Sequence, residues 1–289
     1  MPHRNEILPI GGQAVIEGVL MRSKTSYAIA VRKPDQTIAV KKVNQPPLTE
    51  TYKILDYPFI RGIATLVDSL SVGIKALVYS ADKTAKTEKD KITHKEMMVS
   101  LLISLGLTIG LFIILPAGVF SLLRNSTMPT ILLNLIEGST RLSIFLIFLS
   151  LVSLMPDMQR VFEYHGAEHV IIHMYQDKKR IDLDKADQYP PQHPSCGTSF
   201  LLTVFLTSII VFSFLGRPPF FLRILLKIIL LPVIAGISYE FIRISRRKNA
   251  PKILQLLNMP GIWLQRLTTR KPKKDQLEVA AEALRHVLT

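Results

Sequence analysis

Apolar residues are gathered into four long stretches along this chain, and charged residues lie almost entirely outside them. The first stretch, "MMVSLLISLGLTIGLFIILPAGVF" at 97–120, has no charge. At about 1.5 Å per residue it is long enough to cross a hydrocarbon core of about 30 Å. The second ends in "RLSIFLIFLSLVSLM" at 141–155 and draws on "ILLNLIEGST" before it. Glu137 and Arg141 stand four apart there, a spacing that pairs them on one helix face. The third is "SFLLTVFLTSIIVFSFL" at 199–215. The fourth, 220–242, is interrupted by Arg223, Lys227, Pro232 and Glu240 and forms a helical hairpin with the third through "GRPP".

Before these runs the period changes. "SYAIAVRKPDQTIAVKKV" at 26–43 predicts two strands around the turn "KPDQ". Residues 57–82 show apolar positions at helical spacing, which predicts an interfacial or re-entrant helix. A charged linker at 82–96 leads to the first span, and "DQLEVAAEALRHVLT" predicts a short amphipathic helix with a surface or partner role. The expectation is an α-helical integral membrane protein with four transmembrane helices. Residues 1–56 form a small N-terminal α+β region holding the hairpin, and 57–96 the interfacial or re-entrant helix and linker. Residues 97–242 form the membrane domain with its 156–198 connection, and 243–289 a basic tail.

Charge sets the orientation. The net charge is +14. Lys and Arg number fifteen in 1–96, five in 156–198 and eleven in 241–289, against one each in 121–130 and 216–219. By the positive-inside rule both termini and the middle connection are cytoplasmic. Lipid headgroups account for the basic excess, and no nucleic-acid motif accompanies it. The single cysteine excludes an internal disulfide. The opening "MPHRNEILPIGGQAVIEG" lacks the apolar run and cleavage site of a signal peptide, so internal segments drive insertion.

The chemistry gathers where the second span ends. "FEYHGAEHVIIHMY" places His165, His169 and His173 at intervals of four, on one helix face. His165, Glu168 and His169 read H-x-x-E-H, the inverted zincin pattern. Two imidazoles one turn apart can share a zinc ion, and the neighbouring carboxylate can act as general base. A third ligand is needed, and "HPSCG" supplies His193 or Cys196. Cys196 also suits a nucleophile at the start of a membrane helix. Glu240 sits at the end of the fourth span, suited to a fourth ligand or a partner that orients a histidine. The glycines around Gln13 and Glu17 predict tight backbone turns, without the Lys-Ser/Thr of a phosphate loop.

"GGQAVIEGVLMR", "YHGAEH", "HPSCGTSF" and "GISYE" together resemble the signature blocks of the YqhQ-like bacterial membrane proteins, a family commonly described as predicted metal-dependent enzymes. The resemblance runs from about residue 10 to about 245. It implies a multi-pass protein of the bacterial plasma membrane. It also implies importance for Glu17, His165, Glu168, His169, His193, Cys196 and Glu240. The leading expectation is a divalent-metal hydrolase, with zinc as the ion. Glu168 and Glu17 are the candidate catalytic acids, and the substrate is lipid-linked or a peptide at the cytoplasmic face. The alternatives are a scaffold or assembly factor with a structural metal or polar cluster, and a transporter built by oligomerisation.

Overall fold

The computed structural model describes residues 10–87, 91, 93–178, 180–194, 196–245, 251–256 and 259–289. The start of the N-terminal region, part of the 82–96 linker and the end of the basic run "RISRRK" lie outside the described residues.

Four strands form an antiparallel meander in the order β1-β2-β3-β4: β1 Gly11–Val15, β2 Gly18–Arg22, β3 Tyr27–Arg32 and β4 Ile38–Val43. β3 and β4 are the expected hairpin. Its turn is closed by the Lys33 amide donating to the Thr37 carbonyl at 2.9 Å, and Asp35 accepts from the Thr37 amide at 3.0 Å. The expectation of backbone turns in "GGQAVIEGVLMR" is corrected: this segment is the β1–β2 hairpin, with the two-residue loop Ile16–Glu17 and Glu17 at a φ of 50°.

The reason β2 gave no alternating signal is that both faces of the sheet are covered. Val15, Leu20, Tyr27, Ile29 and Val31 pack against Val72 and Ala76 on one side. Val19, Met21, Ala28 and Ala30 pack on the other against a cluster that includes Ala167, Ile171, Ala280 and Leu284. A strand buried on both faces reads as an apolar run, not as alternation.

The helices follow in chain order. A single turn, α1 Leu48–Thr51, and a 3-10 turn at Lys53–Asp56 lead into α2 Ile60–Thr84. α3 His94–Ile109 opens on a Thr93/Glu96 capping box. It continues through a π turn, Gly110–Ile114, into α4 Leu115–Leu123. The wide turn frees the Phe112 carbonyl, which accepts from Arg141 Nε at 2.9 Å. α5 Thr130–Leu154 and α6 Pro156–Lys178 are separated at the extended residue Met155. A 3-10 stretch Leu183–Gln188 precedes α7 Gly197–Ser213, and α8 Phe220–Ser245 pairs with α7 as the expected hairpin.

Four helices are long and apolar enough to cross a membrane: Ile60–Thr84, Lys95–Leu123, Thr130–Leu154 and Phe220–Ser245. The third expected span is the shorter apolar helix α7. α2 meets the length and composition of a span, yet its second half lies on the sheet.

The charges inside the expected spans meet in the bundle interior. Glu137 faces Arg141 at 3.7 Å, its i+4 neighbour as the spacing predicts. Arg223 Nε donates to Glu137 at 3.0 Å, and Lys227 pairs with the same carboxylate. One acid and three cations are thus buried together, with Arg223 over the Phe120 ring.

The C-terminal region is part of the fold. After α9 Lys252–Leu256, α10 Met259–Thr268 runs against α7, where Gly261 meets Ser199 so closely that a Cβ would lie 2.8 Å from its side chain. α11 Lys274–Leu288 is the expected amphipathic helix, and the partner of its apolar face is the sheet and α6 of this same chain.

Candidate metal centre

Helical spacing puts His165, Glu168 and His169 on α6 facing the start of α7. His165 Nδ1, His169 Nδ1 and His173 Nε2 each contact a main-chain carbonyl, of Thr268 at 2.7 Å, Pro191 at 2.6 Å and Gln192 at 2.9 Å. A carbonyl only accepts, so the contacting ring nitrogen carries the proton. His165 and His169 are therefore Nδ1–H tautomers with the Nε2 lone pair left over. His173 is turned the opposite way, and burial, the largest influence on it, pushes its pKa down.

Cys196 is the N-cap of α7, its sulfur accepting from the Thr198 amide at 3.5 Å. It lies 3.1 Å from His165 Nε2. One donor atom each from His165, His169 and Cys196 falls within 4.8 Å of the others. A main-chain carbonyl on the far nitrogen of each histidine is the usual support of a metal-binding imidazole. Two imidazoles and a cysteine sulfur are a donor set of the kind that suits zinc.

The neighbouring acid is Glu168, buried at 5% exposure, with its carboxylate 3.8 Å from His169 Nε2. Burial raises its pKa to about 7, and the nearby His165 acts weakly in the other direction. It lies against Gly12 of β1, where a Cβ would be 2.7 Å from the Glu168 Cγ and Oε1. His165 and Cys196 open onto a cavity of about 800 Å³ between β1, α2, α6, α7 and α8.

The other expected residues stand elsewhere. His193 is buried next to the group but outside it, its Nε2 3.1 Å from Gln176 Oε1 and its ring 4.5 Å from that of His173 and 5.7 Å from that of His169. Its main chain is held by Gln265, which accepts from the His193 amide at 2.8 Å and donates to its carbonyl at 2.9 Å. Glu240 binds Arg61, accepting from Nε at 2.6 Å, and so ties the end of α8 to the start of α2. Glu17 pairs with Arg160, accepting from Nη2 at 2.6 Å, and accepts from the Tyr164 hydroxyl at 3.2 Å. Burial first, and then the Glu17 carboxylate, hold that hydroxyl well above its ordinary pKa. Neither Glu17 nor Glu240 is in the His165–His169–Cys196 group.

Gln265, Thr268, Pro191 and Gly12 were not anticipated. The first three act through the path of the main chain, which no spacing signals. Gly12 is conspicuous only as one of two adjacent glycines.

A family described as "Protein of unknown function (DUF1385)" matches residues 57–289. The Bacillus subtilis (strain 168) protein named "Uncharacterized protein YqhQ" is 33% identical over 296 residues, covering 96% of this chain and 92% of that one. No solved structure matches. With the family match spanning most of the chain and the relative nearly all of it, this chain belongs to the YqhQ-like, DUF1385 family.

Proposed function

We propose that this chain is an integral membrane hydrolase that holds zinc with His165, His169 and Cys196 and uses Glu168 as its general base. The supporting observation is the convergence of three donors within 4.8 Å with both histidines braced on main-chain carbonyls. When bound, zinc would supply Lewis acidity at this site. Glu168, beside His169, is the carboxylate placed to take a proton from a reacting water. Thr268 and Pro191 hold the imidazoles in the tautomer that leaves Nε2 for the ion.

In this reading α3–α4, α5, α7 and α8 cross the bilayer and the sheet lies in the cytoplasm, where the basic residues gather. α2 joins the two, with its second half on the sheet and Leu66, Val67 and Leu70 exposed along its first half. The site then sits at the cytoplasmic ends of α7 and α8.

The test is zinc content of the full-length protein by elemental mass spectrometry, wild type beside His169→Ala. About one zinc per chain, lost in the variant, is expected. Folded wild-type protein that takes up no zinc when supplied with it sinks the proposal. Glu168→Gln is expected to keep zinc and lose hydrolysis.

The 3.1 Å contact from Cys196 Sγ to His165 Nε2 favours one second reading, a thiol nucleophile with His165 as its base. Chelation separates the two: it abolishes a zinc hydrolase and leaves a cysteine enzyme active.

A further inference from the structure

β1 is the edge of the sheet, and the register shows which of its main-chain groups are free. The Arg32 amide donates to the Glu17 carbonyl at 2.8 Å, so Glu17, Val19 and Met21 turn their main chain toward β3. Gly18, Leu20 and Arg22 therefore turn toward Val15, Gln13 and Gly11 of β1. That leaves the N–H and C=O of Gly12 and Ala14 aimed away from the sheet. Both residues line the cavity onto which His165 and Cys196 open. Among the described residues nothing hydrogen-bonds to them on that side.

Exposed strand edges normally carry lysine, proline or a bulge against stray pairing. β1, with the sequence GGQAV, carries none of these. Its two glycines instead admit a second backbone at close range. The rest of the cavity wall is mainly apolar, with Leu66 from α2, Phe200 and Leu201 from α7 and Ile242 from α8, and Tyr239 and Arg243 at the end of α8.

We infer that the substrate is an extended peptide segment that adds to β1 as a fifth strand, with apolar side chains in the cavity and its scissile amide beside His165, Glu168 and Cys196. The chemistry rests on the zinc-hydrolase reading; the groove does not. A peptide satisfies the free groups of Gly12 and Ala14 with alternate residues of its own backbone. An acyl chain has neither donor nor acceptor and would bury those groups unpaired. Gly12 also lies against Glu168, so the strand that would hold the peptide touches the base. In the reaction the oxygen of water bonds to the carbonyl carbon and the C–N bond breaks. Glu168 passes a water proton to the departing nitrogen, leaving a carboxylate and an amine.

The test uses full-length Glu168→Gln protein, loaded with zinc in bilayer discs, with unfolded casein as the peptide probe. Casein is expected to slow hydrogen exchange at the Gly12 and Ala14 amides about tenfold. Ala14→Pro removes one outward N–H without touching the pairing with β2. It is expected to bind casein about tenfold more weakly than Ala14→Val, with equal zinc content in the two variants. Casein that leaves β1 unprotected, or binds both variants equally, overturns the inference. Protection of β1 by palmitoyl-lysophosphatidylcholine but not by casein overturns it in favour of a lipid. Zinc retained with β1 unprotected removes the groove and leaves the metal; β1 protected in protein that takes up no zinc does the reverse.

Discussion

Gly12 and Glu168 meet where the edge of the sheet crosses α6, so closely that a methyl group on Gly12 would lie 2.7 Å from the Glu168 side chain. The carboxylate is walled in by a strand that offers no side chain there. Gly12→Ala must push Glu168 aside and also crowd the Leu20 carbonyl of β2, 2.8 Å from the new Cβ, at a cost of about 1–3 kcal/mol in stability. Zinc content is expected to stay at the wild-type level while hydrolysis falls about tenfold or more, since a small displacement of the base is enough. Gly11→Ala, at a position with open space around its Cβ, is the control and is expected to keep its activity.

Gln265 is wholly buried and spends its amide on the main chain of His193 and on the Ser199 hydroxyl, to which it donates at 3.1 Å. It thereby holds the loop that delivers Cys196 to the α7 N-terminus. Gln265→Leu leaves the His193 amide and carbonyl without these partners and is expected to cost about 2–4 kcal/mol. Zinc affinity is expected to fall about 10–100-fold, the usual effect of losing an outer support. Thermal melting and competitive zinc titration measure the two effects separately.

Glu137 is the only acid facing Arg141, Arg223 and Lys227 among the described residues of that cluster. Glu137→Gln leaves three buried cations without a counter-charge and is expected to destabilise the bundle by about 3–5 kcal/mol. The melting temperature in detergent should fall sharply. An unchanged melting temperature would show that the cations are compensated from elsewhere.

The metal-free protein is expected to lose stability as pH rises. Burial lifts Glu168 from 4.5 to about 7, so the folded state keeps a proton that the unfolded chain gives up earlier. The contribution is fully present below about 4.5 and is lost as pH rises through about 7, on the order of 3 kcal/mol in all. Melting curves of metal-free wild type and Glu168→Gln across this window check it; the difference between them should track the titration.

Much of the architecture was legible because it is local. An uncharged run such as 97–120 finds apolar surroundings in any arrangement, so α3–α4, α5, α7 and α8 follow from hydropathy alone. The i, i+4 spacing that pairs Glu137 with Arg141 also puts His165 and His169 on one face. The β3–β4 hairpin announced itself through alternation and a turn.

What the sequence left open required contacts between distant segments. His193 and Cys196 stand three residues apart with equal chemical claims; only the capping of α7 and the grip of Gln265 turn the cysteine toward His165. That Glu17 pairs with Arg160 and Glu240 with Arg61, 143 and 179 residues away, is likewise written in no local pattern. β2 was hidden because cover on both faces erases the alternation that marks a strand, and β1, GGQAV, is a mostly exposed, glycine-led edge with no apolar alternation to read. α11 read as a surface helix because its partner is a sheet more than two hundred residues earlier. Helix spacing and hydropathy act over a few residues and are written into the chain order; side-chain orientation, burial on two faces and ion pairing depend on which distant surfaces meet, and only the tertiary structure decides that.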